Sequence, residues 1–117
     1  MLKRPVTVVE VEPFPTRARD VWSEDGRLEF IDFIARHPTA GDLVPGAGGV
    51  RKVRWSRTGM GKRGGVRVIY YYCDDAVPVF LLTVYTKGKK DDLTPQERTA
   101  IGRQAKELKA HYRRRSL

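Results

Sequence analysis

Three apolar-rich stretches in the middle of the chain predict β-strands, and apolar and basic residues alternate along the first of them. The three stretches cover residues 50–56, 66–73 and 77–86. Asp74 and Asp75 lie between the second and third stretches, where a tight connection is needed, and the glycine-rich residues 41–49 before the first stretch predict a loop. The short spacing of the stretches predicts an antiparallel meander.

The N-terminal third of the chain predicts one strand followed by helices. A β-branched run at 6–11 predicts the strand. Apolar residues then recur at helical spacing within 23–36, and these residues are Leu28, Phe30, Ile31, Ile34 and Ala35. The sequence Arg36-His37-Pro38 ends this run, and the candidate helix caps are Thr16 and Ser23.

A C-terminal helix has the clearest start signal. Thr94-Pro95-Gln96-Glu97 combines a capping threonine, proline at the first helical position and a glutamate three residues after the cap. One apolar stripe follows, made of Ile101, Ala105, Leu108 and Tyr112. The cations Arg98, Arg103, Lys106 and Lys109 lie away from that stripe, and Arg113-Arg114-Arg115 follow them. This basic end is either a solvated helix terminus, a second phosphate contact or a docking face for an acidic partner.

Length and composition limit the class of protein. The chain has 117 residues, of which 40% are hydrophobic, so we expect one domain spanning 1–117 with one core. The single cysteine, Cys73, excludes an internal disulfide and fits a reducing cytosol. The longest apolar run has nine residues, whereas a membrane-spanning helix needs about 20. We therefore expect a cytoplasmic protein with no membrane partner.

Positive charge is concentrated in the C-terminal part of the chain. Residues 1–49 carry 6 basic and 8 acidic residues, whereas residues 50–117 carry 17 basic and 6 acidic residues. The segment Val50 to Ile69 holds seven cations and no acid. This density favours a nucleic-acid partner over a merely solvated surface.

Two common kinds of site, a phosphate-binding loop and a metal site, do not fit the sequence. The GKRGG stretch lacks phosphate-loop spacing, because Arg63 follows Lys62 where serine or threonine is required and Ser56 stands where glycine is required. His37 and His111 are far apart in sequence, and the aspartate pairs fall where turns are expected. The sequence therefore predicts no metal site and no cofactor.

A cluster of cations on one sheet face is the remaining candidate for chemistry. Strand alternation directs Lys52 and Arg54 to one face and Val53 and Trp55 to the other, and an antiparallel register would bring Arg67 beside the two cations. Crowded cations favour a neutral lysine amine unless an anion is present. RNA supplies such an anion together with its own nucleophile, the 2′-hydroxyl. The residues alone leave a nuclease and a nucleic-acid binder as equal alternatives.

The runs GGVRKVRW, GMGKRGG, VRVIYYY and FLLTVYTKGKKDDL together resemble the RelE superfamily of bacterial toxins, and within it the HigB-type toxins of type II toxin–antitoxin modules. The resemblance covers about residues 20–112. It implies an α+β, RelE-like fold, in which two N-terminal helices and a C-terminal helix pack on a small antiparallel sheet. It also implies metal-independent mRNA cleavage on the ribosome, and inhibition by a cognate antitoxin, commonly a helix-turn-helix protein.

The resemblance assigns roles to individual residues. Lys52 matches a candidate general base, Arg54 a phosphate-binding cation and Arg67 the arginine that stabilises the transition state, while Lys87 lies nearest the later basic cluster. Gly88 stands where that cluster has its catalytic arginine, and Thr94 stands where the family has a base-stacking tyrosine. The general acid is left open among Lys62, Arg63, Lys89 and Tyr85. The predicted RNA and ribosome contacts are Arg51, Arg57, Lys62, Arg63, Tyr71, Lys89 and Lys90.

Three hypotheses about the function of the protein follow from these residues and from the resemblance. The leading one is a ribosome-dependent mRNA endonuclease toxin. The alternatives are a non-catalytic RNA- or DNA-binding module, and a toxin homologue that has lost cleavage but keeps its partner. We expect the glycine-rich loop at 57–65 to be mobile when free, and to become ordered along an RNA or ribosomal RNA backbone when bound.

Overall fold

A five-stranded sheet with three helices forms the described part of the chain in the computed structural model, which describes residues 4–56, 65–90 and 92–115. The strands in spatial order are β1 (Val8–Glu10), β5 (Val79–Thr86), β4 (Gly65–Tyr71), β3 (Val50–Ser56) and β2 (Asp42–Leu43). The helices are α1 (Phe14–Val21), α2 (Glu24–Arg36) and α3 (Pro95–Arg115). This is the α+β architecture expected from the sequence.

The predicted meander is confirmed, because β3, β4 and β5 pair antiparallel in sequence order. The edges of the sheet differ from the prediction. β1 pairs parallel with β5, with Val8 opposite Val79, so the sheet is mixed and not wholly antiparallel. The loop predicted at 41–49 contains the two-residue strand β2. A turn between β2 and β3 reverses the direction of the chain, so the two strands pair antiparallel.

The start of α2 follows its sequence signal. The hydroxyl oxygen of Ser23 accepts a hydrogen bond from the Gly26 N–H at 3.2 Å, and the helix ends at Arg36 as predicted. Thr16 is not a cap, because it lies inside α1 and its hydroxyl donates to Glu12 at 2.7 Å. The helix α1 instead begins after Pro13.

The sheet has a separate apolar core on each face. On one face, Phe14 of α1 and Phe30 and Ile34 of α2 belong to the same buried cluster as Val53, Val66, Val68, Tyr70 and Leu81 of the strands. On the other face, the predicted stripe of α3 packs with Val50, Ile69, Tyr71, Phe80 and Leu82. Trp55 contacts Phe30 and Phe33, so its expected packing role is confirmed.

The helix α3 is fixed at both ends. A reciprocal capping box joins Thr94 and Glu97, with N–H to oxygen distances of 2.8 and 3.1 Å. Near the C-terminal end, Arg113 forms an ion pair with Asp74, in the connection between β4 and β5. None of the three helices, over the residues described, has the length and apolar character that a membrane crossing requires.

Candidate functional site

A basic cleft lies where β3, β4 and the end of β5 meet. Arg54 and Arg67 are directly opposite each other in the β3–β4 register, as alternation predicted. The cleft has a volume of about 320 Å³, and its described lining residues are Arg54, Trp55, Ser56, Gly65, Arg67 and Lys87. The structure therefore brings together three of the four residues predicted to be catalytic.

Arg67 is the buried cation of the cleft. Its position in the central strand β4, between Arg54 on one side and Tyr85 on the other, leaves the residue only 8% exposed. A guanidinium held this way has few alternative orientations, so its donors are positioned before any anion arrives. Arg54, by contrast, is exposed at the rim of the cleft.

Lys87 reaches the cleft from the turn after β5. Its backbone N–H lies 3.4 Å from the Gly65 carbonyl oxygen, and the N–H groups of Lys89 and Lys90 bond the Thr86 carbonyl at 3.1 Å. These bonds fix the turn against the first residue of β4. Gly88 stands where the family resemblance places an arginine, and no atom of the described residues lies within 4 Å of the position that its Cβ would take.

Lys52 lies on the same face as Arg54, two residues away, but it is not one of the described residues lining the cleft. Its ammonium nitrogen is 3.4 Å from a carboxylate oxygen of Asp92. In the register of β2 and β3, Lys52 is also directly opposite Asp42. We expected Lys52, Arg54 and Arg67 to form a group of cations with no neutralising anion. This prediction is wrong for Lys52, because Asp92 and Asp42 are its neighbours.

Asp92 is a site residue that the sequence reading missed, because the aspartate pair at 91 and 92 was interpreted as turn chemistry. The pKa of Asp92 is lowered, first by the hydrogen bond from the Leu93 N–H and then by the charges of Lys52 and Arg98. The sequence signal that could have found it was its place immediately before the capping box of α3. Its approach to Lys52 depends on how α3 packs on the sheet.

Tyr85 places a phenol beside Arg67. The residue is 8% exposed, and its hydroxyl has no hydrogen-bond partner among the residues described. Burial raises the pKa of Tyr85, and the negative charge of Asp92 acts in the same direction while the positive charge of Arg67 opposes it. A neutral phenol can donate a proton, so Tyr85 stays a candidate for the general acid.

The predicted RNA contacts divide into three groups. Tyr71 shares the face of Arg67 but is 5% exposed within the core beneath α3, which removes it from the candidate contacts. Arg51 is also corrected, because it is directed to Gly41 and donates to its carbonyl oxygen at 2.7 Å. Lys90 is paired with Glu97, whereas Lys89 is exposed in the turn after β5. Arg57, Lys62, Arg63 and the mobile loop predicted at 57–65 lie outside the described residues, except Gly65.

A larger cavity of about 410 Å³ lies elsewhere, between β1 and the two N-terminal helices. One of its two described arginines, Arg27, forms ion pairs with the carboxylates of Glu10 and Glu24 at 2.7 and 2.6 Å. None of the residues predicted from the sequence to be functional is among its described lining residues. The smaller basic cleft is therefore the better candidate, because its cations face an open space.

Comparison with protein families identifies a match over most of the chain. The family model described as RelE toxin of the RelE / RelB toxin-antitoxin system matches residues 35–115, which is more than two thirds of the chain. The matched region begins at the end of α2 and contains all the described strands except β1, together with α3. It includes every described residue of the basic cleft.

Proposed function

Because the chain belongs to the RelE toxin family, we propose that it is a ribosome-dependent mRNA endonuclease that stops translation. The observation that supports this most directly is the cleft in which Arg54, Arg67 and Lys87 converge. A phosphate in that cleft would meet cations from two adjacent strands and from the turn after β5. We further propose that the toxin is of the HigB type and acts in the cytoplasm.

The proposed reaction uses the RNA as its own nucleophile. The 2′-oxygen bonds to the adjacent phosphorus while the bond from phosphorus to the 5′-oxygen breaks. The 2′ proton leaves, and a proton is added to the 5′-oxygen, so the products are a 2′,3′-cyclic phosphate and a 5′-hydroxyl. This route needs no metal ion, because the protein's task is to stabilise the charge of the phosphorane.

The cleft residues fit separate parts of this reaction. Arg67 is held by the sheet and would stabilise the phosphorane, since preorganised donors need no rearrangement during the reaction. Arg54, exposed at the rim, would bind the incoming phosphate. Lys87 adds positive charge from the turn after β5. The candidate proton donor is the buried phenol of Tyr85, which lies opposite Arg67 on β5 but is not among the described residues lining the cleft.

The partners follow from the same proposal. The ribosome and its bound mRNA supply the substrate, and the concentration of cations within 50–117 suits an RNA surface. A toxin of this kind requires a cognate antitoxin, which we propose to be a helix-turn-helix protein. The basic side of α3 and the exposed Lys89 are candidates for additional phosphate contacts.

Controlled expression tests the proposed function. Inducing the wild-type chain should stop growth and produce mRNA cut at a fixed position within codons, mapped by sequencing 5′-hydroxyl ends. Arg67→Ala should relieve growth arrest and reduce cleavage by about 100-fold or more, as removal of a transition-state donor does. Arg54→Ala tests an exposed residue of the same cleft and carries less risk to folding.

Arg36→Ala is the matched control, because Arg36 is exposed at the end of α2 and is not among the described residues lining the cleft. It should arrest growth as the wild type does. Circular dichroism of the purified variants separates loss of activity from loss of folding. Intact mRNA with the wild type, and equal growth with Arg67→Ala, would instead favour a non-catalytic nucleic-acid-binding module.

A further inference from the structure

Lys52 is surrounded by negative charge that the fold itself provides. Asp92 approaches its ammonium group to 3.4 Å, and Asp42 is its cross-strand partner on β2. Directly opposed residues on one face of a sheet have their Cβ atoms about 5 Å apart. The β4 residue opposite Lys52 is the apolar Ile69, which contributes no charge.

Asp92 is held in place independently of Lys52. Its carboxylate accepts a hydrogen bond from the Leu93 N–H at 2.8 Å, and the side chain of Leu93 is buried in the core beneath α3. The capping box of Thr94 and Glu97 then fixes the next turn. The carboxylate is therefore positioned by the start of α3, and Lys52 lies next to a fixed anion.

Among the residues that the structure describes, the other charged groups near Lys52 do not reverse this balance. Arg54 lies two residues along the same strand and is exposed, and Arg67 lies opposite Arg54 and not opposite Lys52. Arg98 of α3 interacts with Asp92. An opposite charge within about 4–6 Å favours the charged form of an ionisable group. A general base, however, must be neutral before it accepts a proton.

We propose that Asp92, assisted by Asp42, is a positioning residue whose ion pair holds the ammonium group of Lys52 in place, so that Lys52 acts as a fixed positive charge and not as the general base. This inference rests on the proposed endonuclease function. It replaces the role that family resemblance alone assigns to Lys52.

The proton balance of the reaction then changes in one respect. As the 2′-oxygen bonds to phosphorus, its proton passes to a water molecule and not to Lys52. The bond to the 5′-oxygen breaks, and that oxygen receives a proton from the phenol of Tyr85 or from water. Lys52 keeps its three protons throughout and offsets the additional negative charge of the phosphorane.

Substitution of Lys52 distinguishes a cation from a base. Arginine stays protonated at any working pH, so Lys52→Arg preserves a charge but cannot act as a base. We expect Lys52→Arg to retain at least about a tenth of the single-turnover cleavage rate on ribosomes programmed with a short mRNA, whereas Lys52→Gln should lose about 100-fold. An inactive but folded Lys52→Arg would overturn the inference.

Substitution of Asp92 tests the positioning role. Asp92→Asn should lower the cleavage rate about threefold to tenfold, because the ammonium group of Lys52 loses the anion that fixes its position, and Asp92→Glu should restore part of the rate. In a Lys52→Gln background, Asp92→Asn should change the rate by less than about twofold, because the charge that Asp92 positions is then absent. A faster reaction in Asp92→Asn at pH 7 would show that Lys52 acts as a base and would overturn the inference.

Asp32→Asn is the matched control. Asp32 forms an exposed ion pair with Arg36 on α2, outside the described lining of the cleft, and its replacement should leave the cleavage rate unchanged. The two proposals fail in different ways. A folded wild-type chain that cleaves no mRNA overturns the endonuclease function, whereas an active wild type with an inactive Lys52→Arg overturns only the role given to Asp92 and Lys52.

Discussion

Gly41 shows how a single residue can join the edge of the sheet to the core. Its N–H donates a hydrogen bond to the Tyr70 hydroxyl oxygen at 2.9 Å, and its carbonyl oxygen accepts one from the Arg51 guanidinium at 2.7 Å. A Cβ atom at this position would lie 2.8 Å from the Lys52 carbonyl oxygen and 2.9 Å from the Tyr70 ring. Backbone and a fully buried aromatic ring cannot move away easily, so the position requires glycine.

Gly41→Ala should therefore lower the free energy of unfolding by about 1–3 kcal/mol, the usual cost of overpacking. Urea denaturation followed by circular dichroism measures this change. Gly88→Ala is the control, because within the described parts of the chain nothing lies within 4 Å of the position that its Cβ would take, and the change should be close to neutral. Equal stability of Gly41→Ala and the wild type would mean that β2 and the Tyr70 ring shift without cost.

Among single residues, those placed by strand alternation were predictable and those placed by α3 were not. Alternation brought Arg54 and Arg67 to one face, and the register confirms that they are opposite each other. It also gave Tyr71 the face of Arg67, but the sequence does not show that α3 covers that tyrosine. The ion pair of Asp92 with Lys52 spans 40 positions in sequence, so no local pattern reports it.

At the scale of secondary structure, the start of α3 is the element most completely determined by its sequence. Both hydrogen bonds of the capping box are formed, and Glu97 also pairs with Lys90. The pKa of Glu97 is lowered, chiefly by the hydrogen bond from Lys90. This start matters for the site, because the same turn carries Asp92 and anchors Leu93 in the core.

Thr94→Ala should destabilise the protein by about 1 kcal/mol, because it leaves the Glu97 N–H without its side-chain acceptor. Thermal unfolding provides the measurement. Thr99→Ala is a suitable comparison, since Thr99 is exposed within the same helix and its hydroxyl donates to the Pro95 carbonyl oxygen at 3.1 Å. That variant should be as stable as the wild type or more stable, because alanine favours the helix interior. Equal losses in both variants would argue against the capping role.

The strands were predicted less evenly than the helices. The bounds of β3 match the prediction, since its apolar and basic residues alternate over most of the strand. The strands β1 and β2 were harder to predict because each is short, with three and two residues, and pairs at an edge of the sheet. The parallel pairing of β1 with β5 joins two segments that are far apart in sequence. The local periodicity of a segment does not indicate which distant strand it will pair with.

At the scale of the whole molecule, three acidic residues form ion pairs that join one secondary-structure element or connection to another: Asp74, Asp92 and Glu97. The pKa values of Asp74, Asp92 and Glu97 are all lowered in the folded protein, in the first two cases mainly by backbone N–H groups. A carboxyl group whose folded pKa lies below its unfolded value binds protons more weakly in the folded state. Its contribution to stability is present above the unfolded pKa and is lost as the pH falls through the folded pKa.

We therefore expect the free energy of unfolding to be steady from pH 7 down to about pH 5 and to decrease below about pH 4. Urea denaturation at a series of pH values measures this. Glu97→Gln should lower stability at pH 7 and reduce the pH dependence, because one of the contributing carboxylates has been removed. A pH dependence identical to that of the wild type would show that Glu97 does not contribute.

The parallel pairing of β1 with β5 has a consequence for the order in which the protein can assemble during its synthesis. Val8 pairs with Val79, so β1 lacks this partner strand until most of the chain has been made. Phe14, Phe30 and Ile34 likewise precede the strands against which they pack. The N-terminal segment must therefore remain incompletely folded, with apolar side chains uncovered, until the β3–β5 meander follows. The basic cleft, which needs β3, β4 and Lys87, is completed only in the second half of translation.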